Sequence, residues 1–155
     1  MRDEIITIPG NWDIDYDYSA RETASHFLAS VRDDGQLLGW ECPECERVLA
    51  PPRDFCERCF VDKTDWVEIS PGGRVELFAI VPQDLGAGPD VPFVLTYIQL
   101  DGAHTAMMNE VERINLSDVE AAAEELAVGT RLEAVFEPES ESEGRVIDFH
   151  YEPAD

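Results

Sequence analysis

Lysine is almost absent from this chain. It occurs once, at Lys63, in 155 residues that carry 11 basic and 34 acidic side chains, for a formal net charge of −23. A groove that neutralises nucleic-acid phosphates needs clustered cations. Here the remaining basic residues are arginines scattered along the chain, which argues against nucleic-acid binding. Long apolar runs are missing too. No stretch reaches the roughly 18 apolar residues of a membrane span, so no membrane association is expected. The first residues, MRDEIITIPG, lack the basic flank and apolar core of a secretory signal, and the chain reads as cytoplasmic. There is no GxSxG elbow, HExxH, P-loop or GxGxxG. The histidines His26, His104 and His150 fall in three separate segments.

Cysteine is confined to one stretch, Trp40 to Phe60, WECPECERVLAPPRDFCERCF. Cys42, Cys45, Cys56 and Cys59 form two CxxC pairs. Each CxxC folds as a tight knuckle that sets two thiolates close enough to share one ion, and two facing knuckles complete a tetrahedral all-thiolate site. Thiolate softness and tetrahedral geometry favour zinc, with iron the main competitor. Disulfides would need an oxidising compartment. A site closed by four cysteines has no open coordination position, so it supports structure and does no Lewis-acid chemistry.

The acidity is dispersed, from Asp13, Asp15 and Asp17 to Glu137, Glu139, Glu141 and Glu143. With so little lysine, this composition resembles proteins of salt-accumulating archaea. Such a charge strains the compact state at low salt. At molar salt, where the Debye length is about 3 Å, the repulsion is screened. A partner-specific acidic patch is the other explanation.

In chain order, residues 1–18 read as an extended arm with Trp12, Ile14, Tyr16 and Tyr18 on one face. Ser19 to Glu22 has the form of a capping box, followed by an apolar stripe of Ala20, Ala24, Phe27, Leu28 and Val31 at helical spacing. That helix has to pack on the ribbon or on another chain. Leu37–Trp40 and Arg47–Ala50 read as ribbon strands. From Thr64 the period changes to two. A lead-in strand Thr64–Ile69 precedes strands at Arg74–Val81, Phe93–Leu100 and His104–Ile114. A helix capped at Ser117–Glu120 follows, then strands at Arg131–Phe136 and Val146–Tyr151. The loop 83–92 is rich in glycine and proline. Strand, strand, strand, helix, strand, strand is the order of the OB-fold, a five-stranded Greek-key barrel. The expected fold class is mainly β: an N-terminal arm and amphipathic helix (1–36), a rubredoxin-like zinc ribbon (37–63) and an OB-fold domain (64–155) with one helix between its third and fourth strands. Ribbon and barrel are expected to have separate cores.

These features together resemble the zinc-ribbon/OB-fold family of acyl-CoA-associated proteins. The matching residues are CPEC at Cys42–Cys45, Pro51-Pro52-Arg53, CERC at Cys56–Cys59, Gly73-Arg74-Val75, PFVLTYIQLDG at 92–102 and AVGTRLEAVFE at 127–137. Family members often carry glycine after the second cysteine of each knuckle, and here Glu46 and Phe60 stand there. The resemblance implies a non-catalytic accessory subunit that accompanies a thiolase-family protein. It further implies a bridge between thiolase and hydroxymethylglutaryl-CoA synthase that shelters an acyl-CoA intermediate. A coenzyme A thioester would be bound jointly with the partner, with Arg53 and Arg74 as candidates for its phosphates. The residues agree with an accessory role, because a thiolase needs a cysteine nucleophile and all four cysteines are assigned to metal. The helix at Ala20–Val31, the ribbon and the barrel face near Phe93–Leu100 are the expected dock. A nucleic-acid-binding zinc-ribbon/OB-fold protein is the alternative, since both modules also serve that role.

Overall fold

The structure, a computed structural model, describes residues 8–10, 17–83 and 90–154. The proposed face of Trp12, Ile14 and Tyr16, and most of the loop 83–92, lie outside the described residues.

The first helix, α1 (Arg21–Asp34), ends where the pattern Asp33-Asp34-Gly35 expects. Gly35 takes φ 60°, a left-handed conformation that glycine adopts without a Cβ penalty. Its N–H and that of Gln36 satisfy the carbonyls of Val31 and Ser30 at 3.2 and 3.3 Å. The start differs from expectation. Ala20 is the N-cap and no side chain caps it. The Ser19 hydroxyl accepts only from the Arg21 N–H at 3.3 Å, and Glu22 pairs with Lys63 at 3.5 Å. The helix begins too late for Ser19 and Glu22 to occupy the two positions that a capping box requires.

The ribbon is a three-stranded antiparallel sheet of β1 (Leu37–Glu41), β2 (Val48–Leu49) and β3 (Trp66–Ile69), ordered β2-β1-β3. The lead-in strand therefore pairs with the ribbon, Leu37 opposite Ile69 and Trp40 opposite Trp66. Gly39 is needed here, since a Cβ on it would lie 2.7 Å from the Leu49 carbonyl oxygen.

The barrel comprises β4 (Gly72–Val81), β5 (Phe93–Leu100), β6 (Ala106–Val111), β7 (Arg131–Phe136) and β8 (Phe149–Pro153). It closes in the order β4-β5-β6-β8-β7. Alternation is clear in β5, where Val94, Thr96, Ile98 and Leu100 point inward and are buried. Between β6 and β7 lies α2 (Val119–Glu125), capped by the Asp118 carboxylate, which accepts from the Ala121 N–H at 3.1 Å. Leu126, just past α2, joins the core. The last strand starts later than its sequence suggests. Val146–Asp148 is a 3-10 turn. The Asp148 carboxylate accepts from Ser142 Oγ and from the N–H groups of Glu143, Gly144 and Arg145 at 2.5–2.8 Å, which curls the backbone out of extended geometry.

Ribbon, helix and barrel share one main core. Phe27 and Val31 of α1 and Leu37, Ala50 and Ile69 of the ribbon segment pack in the same cluster as Val75, Ile98 and Tyr151 of the barrel. Two expectations are corrected by this. The inner side of the ribbon shares the barrel's core while a second cluster around the cysteines stays its own, and the α1 stripe is covered in part within its own chain, with Phe27 5% and Val31 2% exposed and Ala20, Ala24 and Leu28 half-buried. A barrel set beside the ribbon gives that stripe the partner that the ribbon alone is too small to provide.

Candidate metal centre

The two CxxC segments fold into two copies of one turn. In the first, the Cys42 N–H donates to the Arg47 carbonyl at 2.8 Å and the Glu46 N–H to the Cys42 carbonyl at 2.8 Å. In the second, the Cys56 N–H donates to Val61 and the Phe60 N–H to Cys56, each at 2.9 Å. The residue after the second cysteine is left-handed in both knuckles, with φ 55° at Glu46 and 57° at Phe60. These are the positions where glycine is common in the family that the sequence resembles. The knuckles keep the glycine conformation without the glycine.

The turns bring the four cysteine sulfurs within 4.8 Å of one another, with the sulfurs of Cys45 and Cys56 3.8 Å apart. Zinc–sulfur bonds of about 2.3 Å in a tetrahedron require sulfur–sulfur edges of about 3.8 Å, so the donors fit one tetrahedral ion. Cys42 and Cys56 are fully buried, while Cys45 and Cys59 are partly exposed. The thiols also influence one another electrostatically. The backbone N–H groups of Cys59 and Arg58 hold Cys56 down to about 7. Its neighbouring sulfur on Cys45, followed by burial, pushes Cys59 up to about 12. Thiolates this close repel, and a shared divalent cation removes that repulsion.

Sequence reasoning gave no supporting role to four residues around the site. Trp40, fully buried, packs with Cys42, Leu49 and Cys56, and its indole N–H donates to the Arg53 carbonyl at 2.8 Å. Arg47 lies beside the knuckles and bonds Glu57 at 2.7 Å, tying one CxxC segment to the other. Its pKa is raised, first by that bond and, more weakly, by the charges of Cys45 and Cys56. Thr105, in the loop after β5, donates its hydroxyl to the Ala50 carbonyl at 2.7 Å and accepts from the Ala50 N–H at 2.8 Å. Its neighbour His104 accepts from the Val48 N–H through Nδ1 at 3.0 Å. Arg47, two residues past the first CxxC, and Glu57, inside the second, carry opposite charges, and that was the one local signal available. The Thr105 and His104 contacts span more than fifty positions and carry none.

Arg53 and Arg74 are both exposed and line different cavities. Arg53 borders a groove of about 300 Å³ at the start of α1, with Arg21, Thr23, Pro52 and Phe55. Arg74 donates to the Gly129 carbonyl at 3.1 Å and borders a shallow hollow of about 470 Å³ with Gln99 and Val128. The histidines are likewise dispersed: His26 lies against Trp66, with ring centres 4.4 Å apart, and His150 sits between Glu112 and Glu152.

Residues 29–65 match the family model described as ChsH2, rubredoxin-like zinc ribbon domain, and residues 66–137 match ChsH2, C-terminal OB-fold domain. The chain belongs to this zinc-ribbon/OB-fold family. A relative in Methanocaldococcus jannaschii, named a DUF35 domain-containing scaffold protein, is 29% identical over 105 residues, which is 64% of this chain and 67% of that protein. Two solved structures share the family fold. A DUF35 protein of unknown function from Sulfolobus solfataricus has a TM-score of 0.61 at 18% identity, covering 86% of this chain and 87% of the other. The structure titled Ltp2-ChsH2(DUF35) aldolase has a TM-score of 0.62 at 18% identity, covering 89% and 100%. The four-cysteine ribbon and closed barrel of this chain are thus the two parts that define the ChsH2-type architecture. No helix among the described residues is long and apolar enough to cross a membrane.

Proposed function

We propose that this ChsH2-type chain is a non-catalytic accessory subunit of a thiolase-type acyl-CoA enzyme complex, in which Cys42, Cys45, Cys56 and Cys59 hold one structural zinc. The observation that carries the reading is the gathering of all four thiols in one four-sulfur cluster, with the segment between the knuckles bonded at Val48 and Ala50 to His104 and Thr105 of the barrel loop. A tetrahedral ion there has no vacant position for substrate, and no thiol is left to serve as an acyl-accepting nucleophile. The scaffold protein of M. jannaschii and the aldolase complex with a ChsH2 component support the same role. In the finer form of the proposal, the subunit bridges thiolase and hydroxymethylglutaryl-CoA synthase and shelters the thioester between them. Arg53 and Arg74 then contact coenzyme A phosphates separately, each from its own cavity.

Two measurements test this. Elemental analysis of the purified chain should find about one zinc and no iron, and a thiolate-to-iron absorption band would replace the structural role with a redox one. Affinity purification from native extract at native salt should return an acyl-CoA enzyme of the thiolase family. Recovery of RNA or DNA instead would favour the nucleic-acid role.

A further inference from the structure

The outer face of β4, β5 and β6 carries a row of apolar side chains. Leu77, Tyr97 and Met108 are register partners across the three strands, and they are 60%, 45% and 48% exposed. A break in alternation puts Leu77 there. Val75 points into the barrel, so strict period two would bury Leu77 as well. The register instead shifts between Val75 and Leu77, and such a bulge re-aims the side chains that follow it. The next row, Ala79 and Leu95, continues the face. Leu77, Phe78, Ala79, Leu95, Tyr97 and Met108 line a groove of about 220 Å³, with room for a leucine or phenylalanine side chain. A contiguous exposed apolar surface on a chain of charge −23 marks an interaction site.

The rim of this face is acidic. Glu76 stands at the bulge, exposed. Glu110 is the register partner of Leu95, and Glu112, exposed, follows just past the end of β6. Burial, then the nearby Glu112 charge, raise the Glu110 carboxyl, against a lowering by His150. Glu152 lies beyond, with His150 between it and Glu112. Of the nearby cations, Arg113 pairs with Glu152 at 2.9 Å, while Arg74 donates to the Gly129 carbonyl and borders the neighbouring hollow with Glu76. β5, at the centre of the face, is paired along both sides, to β4 and to β6, so a segment lying over the groove meets side chains and no free backbone edge. Recognition here must come from side chains seated in the groove, as an amphipathic helix provides.

We infer that the Leu77–Tyr97–Met108 face docks a basic amphipathic helix of a partner protein, its apolar side chain in the groove and its lysines or arginines over Glu76, Glu110 and Glu112. This deepens the expected dock at the barrel face near Phe93–Leu100 by naming the row and the chemistry of its occupant, and it holds whichever enzyme the partner is.

The test uses the full, zinc-loaded chain and a fluorescein-labelled amphipathic helix of leucine and lysine, read by anisotropy. The same composition scrambled so that no apolar face forms, and a leucine–glutamate helix, serve as comparisons. The leucine–lysine helix should bind at least tenfold more tightly than either. Leu77→Asp and, on a separate strand, Met108→Asp should each weaken it tenfold or more, while Leu77→Met leaves it unchanged. These aspartates add negative charge, so binding by charge alone would tighten. Equal or tighter binding by both aspartate variants overturns the proposal, as does equal binding of the scrambled peptide. Dissolution by Leu77→Asp of a dimer seen in sedimentation would overturn it in favour of a second copy of this chain. Native co-purification separates the two proposals. If the wild type returns an acyl-CoA enzyme and both aspartate variants retain it in full, the face is not the dock and the accessory role stands. If the wild type returns none while peptide binding still depends on Leu77, the accessory role fails and the docking face stands.

Discussion

Replacing Glu46 by glycine should stabilise the protein. Glu46 sits at φ 55° in the first knuckle, where the Cβ of an L-residue crowds the backbone at a cost of about 1–2 kcal/mol. Glycine removes that cost, while its greater freedom in the unfolded chain returns about 0.4–1 kcal/mol. The Glu46 N–H bond to the Cys42 carbonyl survives the change. The net gain is about 0.5–1 kcal/mol. In a chain of this length each kcal/mol moves Tm by about 2–4 °C, so Glu46→Gly should raise Tm by about 1–4 °C. Three comparisons isolate the backbone. Glu46→Val, with a branched Cβ at the same angle, should lower Tm. Glu44→Gly, in the same knuckle but without a positive φ, should also lower it, by the ordinary glycine penalty of about 0.5–1 kcal/mol. Phe60→Gly relieves the same strain at φ 57° but loses the stack on Phe55, with ring centres 6.4 Å apart. That stack is worth about 0.5–1.5 kcal/mol, so its Tm should stay near wild type. The assay is thermal unfolding of zinc-loaded protein at fixed salt. A fall in Tm for Glu46→Gly as large as that for Glu44→Gly would refute the reasoning.

Thr105→Val should cost about 1–3 kcal/mol by leaving both backbone groups of Ala50 without their partner, read as a lower denaturant midpoint with zinc content unchanged. Asp148→Asn should destabilise by a similar amount. Burial raises the Asp148 carboxyl, but the N–H groups of Arg145, Gly144 and Glu143 and the Ser142 hydroxyl outweigh it and leave it lowered. A depressed folded value contributes stability above the unfolded value of about 3.9. That contribution is lost as the pH falls below it through the folded value, so acid titration of wild type and Asp148→Asn should converge there. Stability should rise with added salt toward the molar range as repulsion within the −23 charge is screened; a Tm flat across that range would point to an acidic docking surface instead.

Local chemistry wrote much of this protein into its sequence. Two CxxC pairs bring sulfurs together because each knuckle is a short-range turn, and the pairs need little more than a hairpin between them. β5 and β7 begin and end where alternation says, because each buries one face along its whole length. Gly35 stops α1 by a conformation that one residue decides. The failures share a cause. α1 was expected to pack on the ribbon or on another chain, and instead Phe27 and Val31 sit in a core that the barrel completes. The lead-in strand belongs to the ribbon sheet, paired with β1 from Leu37 opposite Ile69 to Trp40 opposite Trp66, a pairing with no sequence signal. Thr105 and His104 fasten the ribbon to the barrel from more than fifty residues away, and a single shift of register turns Leu77 outward onto the open face. Which thiols gather was a matter of spacing along the chain. How the modules seat on each other, and which apolar row is left uncovered, depended on packing between segments that meet only in the folded state.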